Sequence, residues 1–311
     1  MARAMVAASR FAFPLFLLGS IVLSAGPLFV RLADVGEVQS AFWRLAIGAP
    51  LLFLLVRATA SRDGAPARPP RITIWLILGG IFFAGDLAVW HLGITRTAMA
   101  NSTLVGNSAA FLFPVWGYLT MRRWPTKTAG FALAMAACGI ALLAGQSASI
   151  SREHLTGDLL CLVAAIFYTA YLIVMDKGRQ GHGALPALAF ATLVGTIVLF
   201  PLALIAPGAF WPTDWTPLLL LALSSQVLGQ GLIIYALPQL PPVASGVGLL
   251  IQPAFSGLLG YLWFGEVLAL ADIAGIALIF TAILIVRRPS AAQPEIEKRV
   301  PPSLGGAQIP D

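Results

Sequence analysis

The stretch ITIWLILGGIFFAGDLAVWHLGI (residues 72–94) is long and apolar enough to cross a bilayer as an α-helix, because about 20 such residues span the hydrocarbon. Asp86 is its single charged residue. A charge inside a membrane helix is costly unless it is paired or lines a cavity. Residues 72–94 therefore predict a membrane span that carries a candidate functional group.

Nine further apolar runs of similar length accompany this one, near residues 11–31, 38–57, 98–121, 128–147, 156–176, 184–206, 216–236, 243–264 and 268–286. The 311 residues are 59% hydrophobic and 10% charged, whereas about 25% charged residues is typical of soluble domains. We therefore expect an all-α integral membrane protein of ten transmembrane helices, with the lipid bilayer as its first partner.

The basic residues are distributed unevenly between the loops. If the N-terminus is cytoplasmic, fifteen of the nineteen Lys and Arg residues lie on that side. Arg31, Arg96 and Arg152 lie on the other side, and Arg44 lies within the second run. The positive-inside rule then predicts that both termini are cytoplasmic. It also accounts for the net charge of +6 without a nucleic-acid partner.

The ten runs divide into two sets of five, residues 1–150 and 151–288, followed by a polar tail over 289–311 that we expect to be disordered. Because five is odd, a second repeat would be inverted relative to the first. A shift of 145 residues places Trp90 on Tyr235 and Asn107 on Gln252. Inverted repeats are typical of transporters that bind substrate near the bilayer midplane and work by alternating access.

Several short motifs resemble those of one family. They are Gly85–His91 (GDLAVWH), Asn101–Asn107 (NSTLVGN), Gln226–Gln230 (QVLGQ) and Gln252-Pro253. Together they resemble EamA-type members of the drug/metabolite transporter superfamily. The chain departs from the family pattern at Ala109-Ala110, where a proline is usual, and at Met121–Arg123. The resemblance implies a multi-pass exporter of metabolites in a bacterial-type inner membrane, most similar to the amino-acid exporter branch.

Arg44 and Asp86 lie at nearly the same predicted depth in neighbouring helices. One interpretation is a structural ion pair that locks the two helices together, because either charge alone would be costly. The other is that Asp86 contacts a cationic group of the substrate or takes up a proton. The sequence leaves both interpretations open.

Other polar side chains within the spans would be left without hydrogen-bond partners if they faced lipid, so we expect them to face the protein interior. Aromatic side chains also lie together on one face of some predicted helices. An aromatic-lined pocket with several amides and one acid favours a hydrophobic or aromatic amino acid as substrate. The aromatic residues could instead belong to an interfacial belt. The predicted substrate-binding residues are Asp86, Trp90, Tyr168, Tyr171, Gln226, Gln230, Gln252, Trp43, His91 and Asn101.

Other classes of function are less well supported. An ATP-driven pump would need a GxxxxGK[ST] loop, which the sequence lacks. An intramembrane hydrolase could use Ser245 and His91, although no further catalytic feature accompanies them. A passive facilitator, or an exporter of other amphiphilic organic compounds, remains the main alternative. We expect no cofactor and no metal, and the sequence is compatible with a monomer.

Overall fold

The protein is helical throughout the part that the computed structural model describes, residues 2–62, 73–97, 99–122, 125–146, 152–179, 183–265 and 270–287. The predicted disordered tail, 289–311, lies outside these residues. The first half contains seven helices: α1 (Ala2–Leu23), α2 (Gly26–Leu32), α3 (Glu37–Arg62), α4 (Ile74–Ile94), α5 (Met99–Gly106), α6 (Ala109–Met121) and α7 (Lys127–Gln146).

The second half begins with two long helices, α8 (Arg152–Gly178) and α9 (Ala184–Ile205). A composite helix follows: α10 (Thr216–Leu221), a π-helical segment (Ala222–Gly229), α11 (Gln230–Ala236) and a 3-10 turn (Leu237–Gln239). The chain continues through α12 (Pro242–Leu249), α13 (Ile251–Phe264) and α14 (Leu270–Arg287).

Seven helical segments within the described residues are long and apolar enough to cross a membrane. They are Phe11–Leu32, Glu37–Thr59, Ile74–Ile94, Thr156–Gly178, Ala184–Ile205, Thr216–Gln239 and Val243–Phe264. The expectation of an all-α membrane protein is thus confirmed for the part of the chain described. The remaining predicted runs correspond to the α5–α6 pair, α7 and α14, which are also helices.

Three runs that the sequence predicts as single helices are each divided in two. α1 stops before α2, whose first turn contains Pro27, because proline lacks the N–H needed to continue a helix but fits a first turn. α5 ends at Gly106, and the Asn107 side-chain amide that follows it donates to the Thr103 carbonyl at 2.7 Å. Pro253 lies in the first turn of α13, where its missing N–H costs nothing.

The two halves are interleaved. α4 packs against α8 and α9, α3 packs against α9, and α7 packs against α14. Much of the core therefore forms between helices of opposite halves. It includes Phe83 of α4, whose ring stacks on that of Tyr171 in α8 with centroids 4.5 Å apart.

A clamp joins two loops at one end of the bundle, which we call the Asp34 end. The Asp34 carboxylate accepts hydrogen bonds from the hydroxyl and the backbone N–H of Thr213, the latter at 2.8 Å. The Gly36 N–H donates to the Ala209 carbonyl at 3.0 Å. Gly208 has φ +109°, and a Cβ there would lie 2.6 Å from the Gly36 Cα, so this approach requires glycine.

The clamp gives a prediction for hydrogen exchange. The Thr213 hydroxyl and then its backbone N–H lower the pKa of Asp34 below its ordinary value of 3.8. The stabilisation is therefore fully present above the ordinary pKa and is lost as the pH falls through the lowered value. We expect Asp34→Ala to lower the protection of amides in residues 206–215, relative to their intrinsic exchange rates, at neutral pH, and wild type to lose the same protection only in acid. Asp176→Ala should leave this segment unchanged, and equal exchange in Asp34→Ala and wild type would contradict the prediction.

Candidate functional site

A central cavity of about 40 Å³ lies between the two halves and has room for a few water molecules at most. The first half contributes side chains from α1, α3 and α4 and from the end of α5, and the second half contributes from α8, α11 and α13. The lining residues are Leu23, Arg44, Asp86, Leu87, Trp90, Gly106, Asn107, Tyr168, Gln230 and Gln252.

Arg44 is the most unusual of these residues. Its side chain is 1% exposed, and its Nε and Nη1 have no hydrogen-bond partner. The guanidinium carbon lies 5.9 Å from the centroid of the Phe83 ring, at the outer limit of a cation–π contact. Burying guanidinium donors without acceptors is costly, so the arrangement favours an anionic ligand at this position.

Asp86 lines the same cavity and is 8% exposed. Within the described part of the chain, no Arg44 nitrogen lies within 4.0 Å of an Asp86 oxygen, so the two charges share the cavity without a direct ion pair. A ligand can therefore reach both groups. A positive donor and a negative acceptor at one cavity match a molecule that carries both charges.

Amide and phenol groups form the polar wall on the other side. Gln230 donates its Nε2 to the Tyr168 hydroxyl at 3.4 Å, and its Oε1 has no partner. Gln252 of α13 likewise has an unpartnered Nε2. Buried amides are normally hydrogen-bonded, so these two supply free acceptor and donor atoms to a ligand.

Five predicted site residues are thus brought together: Asp86, Trp90, Tyr168, Gln230 and Gln252. Others lie elsewhere. Gln226 donates to the Thr192 hydroxyl at 2.8 Å, away from the cavity lining. Tyr171 packs behind Tyr168, with ring centroids 5.8 Å apart.

The remaining predicted residues also lie outside the cavity lining. Trp43 belongs to the Asp34 end, where its indole N–H donates to the Phe210 carbonyl at 2.7 Å. His91 is fully buried, with its Nδ1 2.7 Å from the Ser40 hydroxyl. Asn101 lies in α5, and its side chain falls outside what the structure describes.

Sequence reasoning missed four lining residues, Leu23, Leu87, Gly106 and Asn107. Asn107 could have been found, because the 145-residue shift aligns it with Gln252, and the two face one cavity. Gly106 had no such signal. A Cβ there would lie 3.0 Å from the Trp90 Nε1, so glycine makes room for the indole.

Known proteins resemble this chain over most of its length. Residues 155–288 match the EamA-like transporter family. An uncharacterized transporter of Archaeoglobus fulgidus is 25% identical over 81% of this chain and 89% of its own. The threonine/homoserine exporter RhtA of Salmonella typhimurium is 26% identical over 85% of this chain and 88% of its own.

Two further similarities are more distant. The pseudopaline exporter CntI of Pseudomonas aeruginosa is 23% identical over 82% of this chain and 88% of its own. One solved crystal structure has a TM-score of 0.69 and 16% identity, covering 90% of this chain and 97% of its own. The latter likeness establishes a shared fold.

Proposed function

We propose that this chain, as an EamA-type transporter of the drug/metabolite transporter superfamily, exports amino acids. It is a multi-pass transporter of the bacterial-type inner membrane rather than an enzyme. The observation that carries the substrate proposal is the pair of opposite charges, Arg44 and Asp86, on one buried cavity.

An amino acid at neutral pH carries a carboxylate and an ammonium group on adjacent atoms. Arg44 binds the carboxylate, because its buried donors are unpartnered and a guanidinium matches a carboxylate well. Asp86 binds the ammonium group. The amides of Gln230 and Gln252 supply further hydrogen bonds, and Trp90 with Leu87 supplies the apolar wall that favours hydrophobic or aromatic side chains.

We also propose ten spans arranged as two inverted five-helix repeats. The packing pattern supports this arrangement, because the main contacts have counterparts in the other half. α4 packs against α8, while the π-helical segment and α11 pack against α1. α5 and α6 pack against α8, while α12 and α13 pack against α1. The equivalent helices α3 and α9 pack against each other, as do α7 and α14, and the contact between α5 and α13 has its counterpart in the contact between α12 and α6.

In the proposed orientation both termini are cytoplasmic and the Asp34 end is outside. Arg31 and Arg96 are near the Asp34 end, while Arg122, Lys127 and Lys177 are at the opposite end. This distribution agrees with the positive-inside rule.

The size of the cavity supports alternating access. A space of about 40 Å³ holds a few waters but no amino acid, so the helices around it must separate for substrate to enter. A carrier that closes around its site explains this geometry better than an open pore does. The inverted halves then exchange shapes to expose the site on either side.

The test is counterflow of labelled amino acids in proteoliposomes, using threonine, homoserine, leucine and phenylalanine. We expect at least one to exchange well above empty liposomes. Asp86→Asn should lower exchange about 10- to 100-fold, because a hydrogen bond to a charged group contributes about 1.5–3 kcal/mol. Asp176→Asn is the matched control, since Asp176 pairs with Arg179 away from the cavity lining. Absence of exchange for every amino acid would overturn the proposal.

A further inference from the structure

The Trp90 indole lies between two glycines at the wall of the central cavity. Gly106 also lines that cavity, and a Cβ there would lie 3.0 Å from the Trp90 Nε1 and 3.3 Å from its Cδ1. At the far end of the six-membered ring, a Cβ on Gly26 would lie 3.7 Å from the Trp90 Cη2. Both ends of the indole therefore lie against positions that have no side chain.

Both glycines are found at helix breaks. Gly26 is the first residue of α2, just after the break that follows α1. Gly106 is the last residue of α5, just before the break that precedes α6. Interrupted helices are typical of substrate sites in membrane carriers. The indole is thus held between two places where the helical backbone is not continuous.

A second apolar cluster, separate from the main core, lies at the Gly26 end of the indole. Trp90 packs against both this cluster and the main core. A Cβ on Gly26 would lie 3.9 Å from the Leu221 Cδ1, so the cluster reaches that end of the ring. The four buried residues of the cluster are Val30, Ile94, Leu218 and Leu221. Movement of the indole towards Gly26 therefore keeps it in an apolar environment.

A bound amino acid needs more room than the central cavity has. The cavity holds about 40 Å³, so part of its wall must recede when a side chain enters. Leu87 and Tyr168 are buried in the main core, where a shift would disturb close packing. Trp90 is only half-buried, and the nearest atom to a Cβ on Gly26 would be the Ser225 Oγ, at 3.2 Å. The indole is therefore the part of the wall that recedes with the least repacking.

We propose that Trp90 determines the size of side chain that the central site accepts, and that Gly26 and Gly106 give its indole the room to do so. When a large side chain binds, the indole moves away from Gly106 towards Gly26, and the side chain packs between the indole and α5. A small side chain binds without that movement. This inference rests on the proposed function and adds to it the residues that set the substrate's side-chain class.

Counterflow of phenylalanine and of alanine in proteoliposomes measures this preference as a ratio, which does not depend on the amount of folded protein. A methyl group at residue 106 fills the space that a large side chain takes, and one at residue 26 blocks the movement of the indole. We expect Gly106→Ala and Gly26→Ala each to lower the phenylalanine-to-alanine ratio at least tenfold, since one methyl group in an apolar pocket changes selectivity by about 10- to 200-fold.

Gly257→Ala is the matched control for both glycine variants. A Cβ at residue 257 meets no atom within 4 Å, and Gly257 does not line the central cavity. Because this variant adds no methyl group to the pocket, its phenylalanine-to-alanine ratio should stay within about twofold of wild type.

A second change, at Trp90, should compensate for the methyl group at residue 106. The phenyl ring of Trp90→Phe is smaller than the indole and leaves room for that group. We therefore expect the double variant Gly106→Ala/Trp90→Phe to have a ratio within about threefold of Trp90→Phe alone, because residues in contact have non-additive effects. A general disturbance of α5 would not be corrected in this way.

The outcomes separate the two proposals. Wild type that exchanges alanine or threonine but neither leucine nor phenylalanine overturns this inference and leaves amino-acid export in place. An unchanged ratio in either Gly26→Ala or Gly106→Ala also overturns it, as does a double variant whose ratio stays as low as that of Gly106→Ala. Absence of counterflow for every amino acid in wild type overturns the proposed function and this inference with it. A lowered ratio in both glycine variants, with recovery in the double variant, supports it.

Discussion

Arg44→Gln is expected to weaken amino-acid binding about 100-fold or more. Two buried guanidinium nitrogens, Nε and Nη1, lack hydrogen-bond partners, and each hydrogen bond to a charged group contributes about 1.5–3 kcal/mol. Arg44→Lys keeps the charge but loses the planar donor geometry, so its affinity for the amino acid should lie between those of wild type and Arg44→Gln. Binding to detergent-solubilised protein by calorimetry measures these differences.

A comparison of two ligands, with and without a carboxylate, tests whether Arg44 binds that group. Wild type should prefer an amino acid over its amide, which lacks the carboxylate, and Arg44→Gln should lose that preference. Arg96→Gln is the control, since the Arg96 guanidinium donates to the Leu92 carbonyl and does not line the central cavity. If Arg44→Gln binds with wild-type affinity and still prefers the acid over the amide, the carboxylate assignment is wrong.

Gly80→Ala is expected to destabilise the folded protein by about 3 kcal/mol, at the upper end of the usual cost of overpacking. A Cβ at residue 80 would lie 2.5 Å from the Val194 Cβ and 2.7 Å from the Ala191 carbonyl oxygen. The carbonyl belongs to the backbone of α9, so relief requires the two helices to separate. The melting temperature in detergent should fall accordingly.

Gly257→Ala is the matched control for Gly80→Ala. A Cβ at residue 257 meets no atom within 4 Å, although Gly257 is also buried in a membrane helix. Its melting temperature should remain close to that of wild type. Equal melting temperatures for Gly80→Ala and wild type would show that α4 and α9 do not pack as closely as described.

Much of the fold follows from the sequence because lipid imposes long apolar helices. The breaks within the runs were harder to predict. Pro27 and Pro253 indicate where a helix can begin, but the break after α5 has no proline, and the Thr103 carbonyl there accepts from both the side-chain amide and the backbone N–H of Asn107. The sequence alone gives no indication of this break.

The candidate site was predictable where regular helical spacing holds. Asp86 and Trp90, four residues apart in α4, do share the cavity. Gln226 and Gln230 have the same spacing but diverge, because Gln226 lies in the π-helical segment, whose wider turn changes the angle between them. Trp43 was harder to assign, because its partner Phe210 lies 167 residues away in a loop.

The interleaving of the halves has a consequence for biosynthesis. α3 and α4 enter the membrane before their partners α8 and α9 have been translated. About 100 residues separate the end of α4 from the end of α9, which takes roughly 5 to 20 s at a ribosome speed of about 5–20 residues per second. During that interval Arg44 and Asp86 lie on neighbouring helices that still lack the second-half helices that bury them in the folded protein.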